Sequence, residues 1–308
     1  MTADLPRPFF DVHGHCAAAH GFAPGGVAYE CTPDELLRLY DRHGIARGVL
    51  MPELNPEASF RSQSNEEVLA IAAAHPDRFV PFCNVDPRMA GLGREAPFEE
   101  VLRHYRDLGC RGLGEVCARL PFRDDRVQAL LAAAEKVGFP VTFHLAAADR
   151  DGFYGLVDEP GLPQLEESLR RFPKLRFFGH SQPFWFELAA YPAGADRNAY
   201  PEGPVGEEGA LVRLLRTYPN LYGDLSAQSG ARALTRDRAY AAAFLEEFQD
   251  RLMFGLDMCC PRAPSSTDPA LPPFLRSLRD AGDISETVFG KVARGNALRE
   301  LGFGIMAG

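Results

Sequence analysis

The stretch FFDVHGH, residues 9–15, sets one acid and two histidines on alternate positions at the end of an apolar run. If this run is a β-strand, its period of two residues points His13 and His15 to the same side. Two imidazole nitrogens a few ångströms apart suit a divalent metal, and Asp11 could support them. Taken alone, the stretch fits equally well a buried strand whose histidines are satisfied by hydrogen bonds.

Polar side chains also end four later apolar runs. They are Glu115 in CRGLGEV, His144 in PVTFHLA, His180 in LRFFGHS and Asp257 in RLMFGLD. Each has a structural explanation of its own, such as a satisfied core histidine, or a salt bridge between Glu115 and a nearby arginine. Because these explanations would have to hold at several strands simultaneously, a shared metal site is the simpler interpretation. Imidazoles with a carboxylate form a common Zn²⁺ ligand set that leaves a position for water.

Eight short apolar runs separated by helical patterns position these residues. The predicted strands are PFFDVHG, RGVLMP, RFVPFCNV, CRGLGEV, PVTFHLA, LRFFGHS, NLYGDLS and RLMFGLD. Strands that alternate with helices pair in parallel and are covered on both faces. Eight such units predict an α/β fold, a (β/α)₈ TIM barrel, rather than an open sheet with a GxGxxG turn. The strand ends of a barrel meet on one face, where Asp224 of the seventh run is interpreted as a supporting residue or a helix cap.

Two long segments after the fifth and sixth predicted strands interrupt the alternation. The first contains Phe153 and Tyr154, and the second contains Phe184 and Trp185. Barrel enzymes place their substrate loops at this end of the strands. We therefore expect these aromatic residues to contact an apolar or aromatic substrate, with core packing as the alternative. Arg119, which follows the fourth predicted strand, is a candidate clamp for a substrate carboxylate.

Composition limits the classes of partner. The 308 residues are 46% hydrophobic and 24% charged, with a net charge of -9 and no cluster of Lys and Arg that would favour nucleic acid or an anionic membrane. No apolar window of about 18 residues is present to span a membrane. The seven cysteines form no CxxC pair, which is typical of reduced thiols. We expect one domain over residues 1–308, a cytoplasmic location and a small-molecule substrate.

In their order and spacing, the motifs resemble those of the amidohydrolase superfamily. The motifs are DVHGH, TFHLA, FFGHS and MFGLD, with the closing segment ARGNALRELGF. The resemblance is greatest to the amidohydrolase-related branch that includes α-amino-β-carboxymuconate-ε-semialdehyde decarboxylase, and it spans essentially the whole chain. It implies a (β/α)₈ barrel, one or two divalent metal ions, and a homo-oligomer. Zinc is the usual metal, with manganese as the alternative.

The resemblance also implies a role for each site residue. The implied metal ligands are His13, His15, His144 and Asp257. Asp257 would in addition handle the proton of the attacking water. His180 would bind a second metal in a binuclear site, or act as a catalytic, substrate-polarising residue in a mononuclear one. The chain has GLGEV where other members carry a bridging lysine, so Glu115 is a candidate bridge between two metals.

Two reactions fit these residues. The first is hydrolysis of an amide, lactone or related carbonyl bond by a metal-activated water. The second is non-oxidative decarboxylation or hydration of an aromatic or unsaturated carboxylic acid. Glu115 as a candidate bridge favours hydrolysis. A decarboxylase would need cationic residues that face the metal and hold the substrate carboxylate.

Overall fold

The computed structural model describes residues 7–22, 30–59, 61–89, 96–148, 154–263 and 267–303. The strands in this part of the chain are β1 (Phe9–Asp11), β2 (Ile45–Leu50), β3 (Phe79–Pro81), β4 (Leu113–Val116), β5 (Val141–Ala147), β6 (Leu156–Asp158), β7 (Phe177–His180), β8 (Leu221–Asp224) and β9 (Leu252–Met253). Each of the eight predicted runs overlaps one strand. The short β6 is additional, and it lies in the long segment that follows the fifth predicted strand.

All strand pairs are parallel and close into a barrel. One sheet has the order β1-β2-β3, and the other has the order β4-β5-β7-β8-β9, with β6 paired to β5 outside this path. Parallel bridges join the two sheets on both sides, between Cys83 and Leu113 and between Gly14 and Met258. The predicted (β/α)₈ barrel, an α/β fold, is therefore confirmed. Its two long segments follow β5 and β7, which are the fifth and sixth strands of the barrel.

Helices follow the strands and cover the outside of the barrel. They are α1 (Pro33–His43), α2 (Asn65–Ala74), α3 (Phe98–Asp107), α4 (Asp125–Val137), α5 (Pro163–Arg171), α6 (Gln182–Phe186), α7 (Ala210–Thr217), α8 (Ala227–Thr235), α9 (Arg238–Glu247), α10 (Leu271–Asp280), α11 (Glu286–Gly290), a π-helical turn (Lys291–Gly295) and α12 (Asn296–Glu300). Within the described ranges, no helix is both long enough and apolar enough to cross a membrane.

Helix α1 illustrates how the local sequence sets the helix boundaries. Thr32 accepts a hydrogen bond from the Glu35 backbone, and the Glu35 side chain accepts one from the Thr32 backbone, which forms a capping box. Gly44 ends the helix in the left-handed region at φ 76°, where glycine carries no steric penalty. Both ends of α1 are thus specified by residues close to them in the sequence.

The barrel interior is filled with apolar side chains below the strand ends. The cluster consists of Phe10, Val12, Val49, Met51, Val80, Phe82, Phe178, Tyr222, Met253, Ala297 and Leu301. The alternate strand residues belong to a second, larger cluster that packs against the helices. The interior is therefore a packed core, as in other barrels, and leaves polar chemistry to the carboxyl ends of the strands.

Candidate metal centre

The chain turns at the end of β1 so that two histidines face the barrel axis. Phe10 and Val12 pack in the interior, whereas Asp11 faces outward and accepts a hydrogen bond from the Tyr40 hydroxyl of α1 at 2.8 Å. The strand ends at Asp11 and the chain bends at Val12, so His13 does not continue the outward side of the strand. The predicted pairing of His13 with His15 is present, but the bend rather than the strand period produces it.

Four ligand atoms from three segments converge at this point. His13 Nε2 and His15 Nε2 are 3.1 Å apart. Glu115 Oε2 lies 3.6 and 3.8 Å from these two atoms, and Asp257 Oδ1 lies 3.7 and 3.6 Å from them. Ligand atoms placed about 2.0 to 2.1 Å from a tetrahedral zinc ion are about 3.3 to 3.4 Å apart. These distances are compatible with a divalent ion held by His13, His15 and Asp257, whose ligand atoms all lie within 4.8 Å of one another, with Glu115 Oε2 beside the two histidines.

The second nitrogen of each histidine fixes which nitrogen faces that centre. His13 Nδ1 lies 2.6 Å from Asp224 Oδ2, and His15 Nδ1 lies 3.0 Å from the Met51 carbonyl oxygen. A carboxylate and a carbonyl only accept hydrogen bonds, so both Nδ1 atoms carry a hydrogen, and the two Nε2 atoms are the ones that can donate a lone pair to a metal. Two imidazole nitrogens and two carboxylate oxygens then lie close together, an arrangement that positive charge stabilises, whether a proton on His13 or a metal ion.

The pKa of His13 reflects the same demand for positive charge. Burial lowers the pKa, but the charges of Asp257, Glu115 and Asp224 outweigh burial and hold it well above its ordinary value. A proton on His13 neutralises part of the negative charge of these carboxylates. A divalent ion among the four ligand atoms would neutralise more of it, because it carries two charges.

Glu115 connects this set of atoms to His144. Its Oε1 lies 2.9 Å from His144 Nδ1, while its Oε2 faces His13 and His15. Burial raises the pKa of Glu115, yet the positive charges of His13 and His144 hold the pKa well below its ordinary value. The ligand atoms of His144 group with those of Glu115 and Cys117. His144, which the resemblance implies as a metal ligand, therefore lies beside the four-atom set and contacts it through Glu115. Glu115 takes the more central position.

Asp257 borders a cavity and also contacts the buried His180. The Asp257 side chain is 20% exposed, whereas those of His13, His15 and Glu115 are at most 9% exposed. Asp257 Oδ2 lies 3.6 Å from His180 Nε2, and His180 Nδ1 lies 2.8 Å from Ser226 Oγ. Burial and the charge of His13 lower the pKa of His180 to about 3. His180 is therefore neutral near pH 7.

A small cavity opens beside these residues. Its described lining residues are His15, Pro52, Glu53, Leu54, Asn55, Ala58, Glu115, Cys117, Tyr154, Asp257 and Cys259. The space open to the centres of water molecules is about 30 Å³. Tyr154 is one of these lining residues, with its ring centroid 4.3 Å from that of His144. Phe153 lies outside the described residues.

Three residues that are expected to contact the substrate, Phe184, Trp185 and Arg119, are not among the described residues that line this cavity. Phe184 and Trp185 are 0% and 3% exposed and belong to the core between the strands and the helices. The Trp185 indole donates to the Asp224 carbonyl oxygen at 2.9 Å. Arg119 is absent from the described cavity lining, and its backbone N–H lies 3.4 Å from Glu57 Oε1. The expectation for the aromatic pair is thus corrected in favour of core packing, because α6 folds back against the strands.

Two further residues of the site, Asp224 and Glu53, have a minor role or none in the predictions made from the sequence. Asp224, interpreted as a support or a cap, holds His13 Nδ1, and its Oδ1 also accepts from the Ser226 backbone at 3.0 Å. Glu53 was not singled out, although it lines the cavity. The available signal was its place directly after the second predicted strand, the same position that marks the other polar residues.

Sequence and structure comparisons agree with this fold. The profile of the amidohydrolase family matches residues 10–303, and the chain belongs to this family. It is therefore an enzyme of the amidohydrolase superfamily, as the motifs predict. No curated protein matches the sequence.

Several solved structures share the fold at low sequence identity. The chain is similar to 5-carboxyvanillate decarboxylase LigW from Sphingomonas paucimobilis, with 17% identity, 96% of this chain and 99% of that chain covered, and a TM-score of 0.62. It is similar to an amidohydrolase from Burkholderia multivorans with bound zinc, with 17% identity, coverages of 96% and 99%, and a TM-score of 0.60. A probable 2-pyrone-4,6-dicarboxylic acid hydrolase from Acinetobacter baumannii gives 16% identity, coverages of 96% and 100%, and a TM-score of 0.58.

Proposed function

We propose that the protein is a metal-dependent hydrolase that attacks an amide, lactone or related carbonyl bond of a small molecule. The observation that carries this proposal is the placement of Asp257. One of its oxygens belongs to the four-atom ligand set, the other faces His180, and the side chain borders the cavity. A carboxylate in this position can hold the metal and move a proton at the reacting centre.

The proposed ligands of a divalent ion are His13, His15, Glu115 and Asp257. Their nitrogen and oxygen donors favour zinc, which the similar Burkholderia multivorans protein carries, with manganese as the alternative. If a second ion binds, Glu115 is placed to be shared, with His144 and His180 beside it. A bound divalent ion supplies an acidified water and polarises the carbonyl group.

The side chains around the ion supply the proton transfers. Asp257 takes a proton from the attacking water and returns it to the leaving nitrogen or oxygen. Because Asp257 Oδ2 only accepts hydrogen bonds, it favours the tautomer of His180 with the hydrogen on Nε2. That N–H can donate to the oxygen of the carbonyl under attack, where negative charge develops. Ser226 holds the other nitrogen of His180.

The test is an assay of the zinc-loaded protein against a panel of small lactones, amides and aromatic carboxylic acids. We expect ring opening or amide cleavage in part of the panel, and no release of CO₂. Asp257→Asn should lower kcat by about 10² to 10⁴-fold, since the general base is lost. Asp250→Asn, a change to an exposed aspartate that pairs with Lys291, is the matched control and should leave kcat unchanged. Release of CO₂ from the aromatic acids without any hydrolysis would overturn the proposal in favour of a decarboxylase.

A further inference from the structure

Glu53 is a carboxylate of the cavity that the proposed proton transfers do not use. It follows β2 and lines the cavity together with His15, Glu115 and Asp257. Its backbone oxygen accepts a hydrogen bond from the Gln63 backbone at 2.8 Å, and its side chain accepts one from the Ser59 hydroxyl. The loop after β2 therefore holds this carboxylate in place.

Among the described residues that line the cavity, no lysine or arginine pairs with Glu53. The described lining contains three carboxylates and neither lysine nor arginine. The two positive charges of a divalent ion would balance the negative charges of Glu115 and Asp257. The negative charge of Glu53 would remain uncompensated. Two arginines on this side of the barrel are engaged elsewhere, Arg61 with Glu67 at 2.7 Å and Arg88 with the carboxylates of Glu57 and Asp86.

The neighbouring polar groups do not compensate for this charge. Asn55 donates to Asp86 and accepts from the Cys117 backbone, so both ends of its amide are engaged. Burial raises the pKa of Glu53, and the proximity of His15 and the Ser59 hydroxyl opposes that rise only in part. An ionised carboxylate in such a place is stabilised by an incoming cation.

We propose that Glu53 is a specificity-determining residue that binds a primary ammonium group of the substrate. This inference rests on the proposed hydrolase function, because it places the ammonium group in the cavity beside the metal donors. The space open to the centres of water molecules, about 30 Å³, is more than one water needs, so an ammonium group, which is of similar size and has three donors, fits there. The substrate class is then an amino-substituted amide, lactone or related carbonyl compound. A substrate carboxylate in the same place would be repelled.

Three hydroxamic acids that differ only at the end of one arm provide the test, since a hydroxamate chelates zinc and leaves its arm free. Butanohydroxamic acid ends in a methyl group, 3-aminopropanohydroxamic acid in an ammonium group, and succinic monohydroxamic acid in a carboxylate. Their dissociation constants are measured by calorimetry on the zinc-loaded protein. We expect the ammonium arm to bind about tenfold tighter than the methyl arm, as a charge-assisted hydrogen bond allows, and the carboxylate arm to bind weakest.

Three variants locate the effect. Glu53→Gln should remove the preference for the ammonium arm and leave the methyl arm within about twofold of wild type. Glu53→Asp, which keeps the charge but shortens its reach, should reduce the preference. Glu30→Gln, a change to a nearby carboxylate that is not among the described lining residues, is the matched control and should preserve the preference.

The outcomes separate this inference from the function on which it rests. An unchanged preference in Glu53→Gln or Glu53→Asp, an equal loss in Glu30→Gln, or tightest binding of the carboxylate arm would overturn the role of Glu53. If the methyl arm fails to bind the wild-type protein in the presence of zinc, the metal centre itself is refuted, and the inference with it.

Discussion

A single carboxylate, Asp224, decides which nitrogen of His13 faces the candidate metal. Its Oδ2 lies 2.6 Å from His13 Nδ1, and both side chains are fully buried. The indole of Trp185 donates to the backbone oxygen of Asp224 and helps to hold this residue at the end of β8. Such partners orient a ligating imidazole and raise its basicity.

We expect Asp224→Asn to weaken zinc binding by about 10 to 100-fold, since the amide loses the charge that polarises His13. Zinc affinity is measured by competition with a chromophoric chelator. Asp250→Asn, at an exposed position, removes one charge from the molecule without touching the centre and should leave the affinity unchanged. Equal affinities of wild type and Asp224→Asn would contradict the role assigned to Asp224.

The type and place of the candidate ligands could be predicted from the sequence, but their geometry could not. Glu115 lies near the end of a buried strand and His13, His15 and Asp257 follow one, and a barrel brings strand ends together whatever the details of its loops. The relative places of Glu115 and His144 depend on side-chain rotamers and on one hydrogen bond between them, which no spacing encodes. The aromatic pair in α6 was ambiguous because core and pocket positions use the same residue types.

Helix α6 packs against β7 so closely that one position admits only glycine. A Cβ atom added to Gly179 would lie 2.2 Å from a ring atom of Phe184. The Phe184 ring also contacts Phe143 of β5, with centroids 6.0 Å apart. The ring therefore has little room to move away, and the contact fixes how α6 sits behind His180.

Gly179→Ala should destabilise the protein by about 1 to 3 kcal/mol, the usual cost of overpacking a core. Unfolding in urea measures the change. Gly206→Ala is the matched control, because a Cβ atom at Gly206 meets nothing within 4 Å, and its unfolding free energy should stay close to wild type. A Gly179→Ala variant as stable as the control would show that α6 can shift away from β7.

The strands of the barrel could be predicted because each contains a short apolar run between helical patterns. The strand β6 was missed because Leu156–Asp158 is too short to show a period and lies in a loop. Its pairing with β5 is a tertiary contact that the local sequence does not specify. The π-helical turn at Lys291–Gly295 likewise lies inside an ordinary helical pattern, and its extra residue per turn depends on packing.

The candidate metal would connect segments at the ends of β1, β4 and β9. Its removal should therefore lower the free energy of unfolding of the whole molecule. Binding at about 1,000 times the dissociation constant adds about 4 kcal/mol to the free energy of unfolding. We expect chelation to lower the melting temperature, and zinc to restore it. His15→Asn should melt near the temperature of the metal-free protein and should not respond to zinc. A zinc response of wild-type size in His15→Asn would contradict the proposed ligand set.

The centre joins parts of the chain that are synthesised far apart in time. The hydrogen bond from Leu256 to Asp11 spans 245 positions, and the contact of His13 with Asp224 spans 211. At about 5 to 20 residues per second, the two histidines leave the ribosome tens of seconds before Asp257 does. A nascent chain that ends at β8 already carries His13, His15 and Glu115 but lacks the fourth ligand. Tight capture of the ion would therefore be a late event in the biosynthesis of this protein, after β9 has closed the barrel.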